Sequence, residues 1–154
     1  MSDIAAIDQS ILTSDERTMG TLAHVLQLVG GWIAPLVIFL VYRKSRFVSF
    51  HALQALLFQA LYFFLSMIMM AAFFIVMMVN IVHRPMGQHN SLPTAFLIVF
   101  PGIWLGMMCL WMFILAVAIV YGIKAGRGEW AEYPVLGTLA RRILKIGPGG
   151  GSLV

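Results

Sequence analysis

Three long stretches of this chain contain no Lys, Arg, Asp or Glu: residues 18–42, 47–83 and 85–123. About 20 helical residues cross a 30 Å hydrocarbon core, so each stretch is long enough to span a bilayer. No water is available at that depth to satisfy backbone groups, and alternating strand patterns are absent, so every crossing should be a helix. Composition agrees: 61% of the 154 residues are hydrophobic and 10% charged, where a soluble domain carries roughly a quarter charged. The expectation is an all-α polytopic membrane protein with three transmembrane helices, at about 19–42, 50–82 and 95–123, followed by a C-terminal interfacial amphipathic helix. An acidic segment, 1–17, precedes the membrane domain, 18–125, and a basic helix with a Gly-rich tail fills 126–154.

Local signals set the boundaries. Thr13 and Glu16 are spaced as a capping box, which starts a helix near Ser14. Gly30, Gly31 and Pro35 interrupt the first stretch and predict a packing kink there. The second stretch would reach about 50 Å as one helix, so tilt or a start in the headgroup region absorbs the excess. His83, Arg84, Pro85, Gly87, His89, Asn90, Ser91 and Pro93 form a turn-rich loop before the third span. Gly102 and Gly106 make a small-xxx-small pair that lets another helix approach closely. After Pro134, which suits a first helical turn, Leu136, Leu139, Ile143 and Leu144 fall at helical spacing beside Arg141, Arg142 and Lys145. That pattern reads as a basic helix on the membrane surface, its cations drawn to anionic headgroups. The acidic start, with Asp3, Asp8, Asp15 and Glu16, is unlike a secretory signal.

Orientation follows from the cations. Arg43, Lys44 and Arg46 join the first two spans, and Lys124, Arg127, Arg141, Arg142 and Lys145 follow the third. Both groups should be cytoplasmic, which in a three-span chain puts the N-terminus outside and the C-terminus inside a bacterial-type inner membrane.

Polar side chains at membrane depth are costly and need partners. Arg17, Thr21, His24 and Gln27 recur at helical spacing, as do His51, Ala55, Gln59, Tyr62 and Ser66. His24, Gln27, His51, Gln59 and Tyr62 are therefore expected to face the bundle interior, where interhelical hydrogen bonds fix the packing. In a three-span arrangement His24 lies near the outer end of one helix and His51 at the cytoplasmic end of the next, most of a bilayer apart. A haem held between them is disfavoured on that ground; a pair from His24, His83 and His89 is the weaker haem alternative. No nucleophile elbow or paired interfacial carboxylates occur, so no catalytic residue is assigned and an enzyme is not expected. The five methionines between Met67 and Met78 read as apolar filler rather than a soft-metal path, and lone Cys109 forms no disulfide framework. No cofactor, metal, nucleic acid or small-molecule substrate is expected; the partners are the lipid bilayer and other membrane protein subunits.

Two stretches carry a family resemblance: LAHVLQLVGGWIAPLVIFLVYRKSRFVSFHALQALLFQ, from Leu22 to Gln59, and IKAGRGEWAEYP, from Ile123 to Pro134. Over about residues 17–134 the chain resembles the small bacterial membrane proteins grouped with the Tic-twenty-like component of the chloroplast inner-envelope import translocon. The matching positions include His24, Pro35, His51, Gln59 and an exit motif of Lys124, Glu129, Tyr133 and Pro134. Leu57 and Gln54 depart from the pattern, which places Asn and often Glu there. The resemblance implies a role in protein translocation or membrane-complex assembly. The leading expectation is a non-enzymatic accessory or scaffold subunit of a larger membrane complex. The alternatives are a transporter or channel component, and a haem- or quinone-associated subunit of a respiratory or photosynthetic complex.

Overall fold

The computed structural model describes residues 12–83 and 94–147. Regular structure there is helical: α1 (Ser14–Val25), α2 (Gln27–Gly30), α3 (Ile33–Val41), α4 (Arg46–Val82), α5 (Thr94–Gly126) and α6 (Leu136–Leu144). Asp3 and Asp8, the loop from Arg84 to Pro93 with His89, and the Gly-rich tail after Gly147 lie outside the described residues.

Among the described residues two helices are long and apolar enough to cross a membrane, Arg46–Val82 and Phe96–Gly126. The three-span count is not confirmed there: the first apolar stretch is not one helix. Thr13 caps α1 in a full capping box with Glu16. That helix stops at Leu26, and after one further turn Gly31 takes φ 54° and ψ −136°, which ends α2. Pro35 then falls in the first turn of α3, where a backbone N–H would have no intrahelical acceptor, so its missing donor costs nothing. Gly-Gly followed by Pro here ends one helix and begins another, where a kink in a continuous helix was expected.

The chain turns back at that point, and α1 and α3 pack together as a hairpin. Its two ends meet: the Ser45 hydroxyl donates to Glu16 Oε1 at 2.7 Å. This hydrogen bond, with those from the Thr13 backbone and side chain, holds the Glu16 carboxyl below its usual range. The tie is present above the ordinary carboxylate pKa and is lost as pH falls through the lowered value. Along α4, Gly20 lies against Phe47, where an added Cβ would sit 2.9 Å from the ring. The tip residue Gly31 lies instead beside Gln59. At 1.5 Å per residue the hairpin therefore runs about 20 Å along α4 and returns.

The structure divides into two compact units. In the first, Met1–Ala60 with Ile114–Val154, Ala23, Ile38, Phe47, Val48, Ala52 and Ala125 form one buried cluster. Phe50, Ala140 and Ile146 form a second beneath α6. The other unit, Leu61–Phe113, is a helical pair in which Phe73 packs on Phe96 and Phe100, and those two rings stack at 5.1 Å. Its large apolar side chains, Phe63, Phe74, Ile75, Trp104 and Leu105 among them, are mostly exposed, as suits a surface bathed in lipid. Gly106 closes against Met69, whereas none of the described residues lies near Gly102.

Gly31 should tolerate no side chain, since its φ and ψ are open essentially only to glycine. Gly31→Ala is expected to destabilise by about 1–3 kcal/mol, seen as a lower unfolding midpoint in mild detergent. Gly102→Ala, in open space on a helix, should leave the midpoint unchanged or raise it.

Candidate functional site

The buried polar groups of the first unit gather where three elements meet. On α4, His51 and Gln54 are three residues apart and so share a face; both are fully buried. His24 comes from the last turn of α1 and Gln27 opens α2, and these too are buried. The third element is the segment leaving α5. The Lys124 carbonyl accepts from the N–H groups of Arg127 and Glu129, Gly128 takes φ 79°, and the chain folds back across α4 to bring Glu129, Ala131 and Tyr133 against it.

These groups form one hydrogen-bond chain. His51 Nε2 lies 3.1 Å from the Glu129 carbonyl oxygen, His51 Nδ1 lies 3.0 Å from His24 Nε2, and His24 Nδ1 lies 2.8 Å from the Tyr133 hydroxyl. A carbonyl can only accept, and this fixes every proton with both rings neutral. His51 Nε2–H donates to Glu129, so its Nδ1 is bare and accepts from His24 Nε2–H; His24 Nδ1 is then bare and accepts from Tyr133. Burial pushes the Tyr133 hydroxyl above its ordinary range, which keeps it a neutral donor at the head of the chain. A second proton on the pair would set N–H against N–H at 3.0 Å. The facing nitrogens are also too close for a haem iron to sit in line between them.

Gln54 clamps the same segment. Its Oε1 accepts from the Tyr133 N–H at 2.6 Å and its Nε2 donates to the Ala131 carbonyl at 3.1 Å, so one amide replaces the backbone pairing that the irregular segment lacks. Around this core Arg141 stacks on Phe50 at 4.8 Å and reaches the Glu132 carboxylate at 2.6 Å. Gly137 makes that closeness possible: a Cβ there would lie 2.6 Å from Glu132 Cβ and 3.0 Å from Gln54 Oε1.

The placement of the residues singled out from sequence is uneven. His24 meets His51 directly, and both His24 and Gln27 reach Tyr133; Gln59 lies apart from them, beside Gly31 at the hairpin tip, and Tyr62 belongs to the second unit, half-buried, with its carbonyl accepting from Ser66. His24 and His51, expected most of a bilayer apart, are in contact because α3 returns the chain and α4 then runs alongside α1. Of the exit motif, Glu129 contributes its carbonyl and Tyr133 both its N–H and hydroxyl, while Lys124 lies over the Tyr121 ring and Pro134 is exposed. Arg141, expected at the membrane surface, turns inward at 12% side-chain exposure, because α6 packs through Gly137, Ala140 and Arg141. Arg142 and Lys145 are exposed, together with Leu139 and Ile143. Gln54 was missed as a partner; its spacing from His51 was the available signal.

A family model described as the magnetosome magnetite crystal formation protein family matches residues 15–140. That match overturns the Tic-twenty-like assignment drawn from the Leu22–Gln59 and Ile123–Pro134 stretches. No curated protein and no solved structure matches the chain.

Removing the head of the chain should loosen the exit segment. Tyr133→Phe keeps the ring but leaves His24 Nδ1 buried without a donor, which costs about 1–3 kcal/mol. Hydrogen exchange at residues 129–133 should quicken in that variant and in Gln54→Ala, with the Leu61–Phe113 amides unaffected.

Proposed function

This chain belongs to the magnetosome magnetite crystal formation protein family, and from that premise we propose that it is a non-enzymatic integral component of the magnetosome membrane that organises partner subunits for crystal formation. The carrying observation is the way the buried polar groups are used. The two histidines, Tyr133 and Gln54 hydrogen-bond to one another and to the exit backbone. Groups consumed in this way fix a shape, and interhelical hydrogen bonds in membranes serve that purpose well.

Two crossings give a topology that replaces the N-terminus-outside expectation. Because Glu16 and Ser45 meet, the start of α1 and the start of α4 lie on one side, and α5 returns the chain there. Arg43, Lys44, Arg46, Lys124, Arg127, Arg142 and Lys145 share that side, which makes it cytoplasmic by the distribution of Lys and Arg. The exposed face of α6, with Leu139, Arg142 and Ile143, suits the cytoplasmic headgroup layer.

Green fluorescent protein fused to either terminus should fluoresce in magnetite-forming cells and follow the magnetosome membrane. A dark N-terminal fusion beside a bright C-terminal one would restore three crossings. Cells lacking the chain should form crystals of altered size or number; unaltered crystals would overturn the assignment.

A further inference from the structure

Among the described residues, one face of the hairpin formed by α1 to α3 has no protein against it. Val29 is 91% exposed, Trp32 58% and Ile33 57% at the tip, and Val37, Leu40 and Val41 continue the exposure along α3. Apolar surface of this extent is covered by something in the working protein. We propose that the cover is the acyl chains of one leaflet: the hairpin enters the bilayer from the side on which both its ends lie, buries its tip, residues 29–33, in hydrocarbon, and leaves without crossing.

Charge fixes its direction. Asp15, Glu16 and Arg17 stand at one end of the hairpin sequence and Arg43, Lys44 and Arg46 at the other, with no charged residue between. The Glu16–Ser45 hydrogen bond brings those ends together. Every charge thus lies at the mouth, while the exposed apolar side chains run from there along α3 to an uncharged tip, the order that a headgroup-to-hydrocarbon boundary selects.

Length fixes its depth. The run from Phe47 to Gln59 gives the hairpin about 20 Å, enough to pass the headgroups and too little for a 30 Å core. The apolar face also continues onto α5 of the same unit: Gly122 lies beside Val25, and Ile119, Val120 and Ile123 around it are exposed. A membrane that receives α5 therefore meets the hairpin as well.

The broken backbone is the expected obstacle, since irregular chain at membrane depth survives only where protein covers it or polar groups serve it. A buried amide stands at each break. Gln27, at 2% exposure, opens α2 at the first. Gln59, whose Oε1 is buried with no hydrogen-bond partner among the described residues, lies beside Gly31 at the second. These amides put hydrogen-bonding capacity at the level where the helix is interrupted.

This inference rests on the membrane embedding proposed above, and full-length protein in phosphatidylcholine–phosphatidylglycerol vesicles tests the two separately. In a Cys109→Ser background, single cysteines replace Asp15, Val29, Val37 and Lys44, all exposed positions. A membrane-impermeant maleimide should modify positions 15 and 44 from the same vesicle face and position 29 from neither. Spin labels at 29 and 37 should be several-fold more accessible to oxygen than to a water-soluble nickel chelate, with the reverse at 44. Modification of 29 from the face that exposes 44 would make this a surface hairpin and overturn the inference while sparing the two-crossing topology. Positions 15 and 44 modified from opposite faces would overturn both. Low accessibility at 29 and 37 to oxygen and nickel alike would mean that a protein covers the tip, which also overturns it.

Discussion

The Glu129 carbonyl oxygen accepting from His51 Nε2 is the contact from which the rest of the polar core takes its direction. Once that acceptor is fixed, two imidazole tautomers and the Tyr133 hydroxyl follow in sequence, and three elements far apart in the chain are joined: α1, the beginning of α4 and the segment after α5. Each link is a neutral hydrogen bond of ordinary length, worth about 0.5–1.5 kcal/mol net. Its larger consequence is negative, because a buried polar atom left without its partner costs the full desolvation penalty. A core built this way tolerates one arrangement of those elements and penalises the neighbouring ones.

That constraint explains why the exit segment holds its place without regular structure. From Arg127 to Pro134 it forms no helix or strand, so its backbone groups must be met by side chains. Gln54 meets two of them and His51 a third. The short α6 then docks through Gly137, Ala140 and Arg141, whose guanidinium lies over Phe50 and pairs with Glu132. A cation that sequence places at a membrane surface is held inward because an aromatic face and a carboxylate are both within reach.

The two units differ in what they bury. The first buries polar groups in pairs and packs apolar ones around them; the second turns its large apolar side chains outward and keeps an aromatic cluster between its helices. In lipid the second arrangement carries no hydrophobic penalty, and close contacts such as Gly106 with Met69 hold the pair.

Composition and uncharged length alone determined that this chain is helical and belongs in a membrane, because a bilayer admits few alternatives to the helix. Helical spacing also marked His24, Gln27, His51 and Gln59 as groups in need of partners, and the capping box set the start of α1 to the residue. Which partners they found was not legible. Gly31 and Pro35 are compatible with a kinked span and with a hairpin, and these alternatives place His24 at opposite ends of α4. The tertiary structure decided for the hairpin, since only that path brings Glu16 to Ser45 and His24 to His51. Local sequence fixes where a helix stops, but the direction in which the chain then leaves is set by contacts with residues more than a hundred positions away, such as Tyr133 with His24.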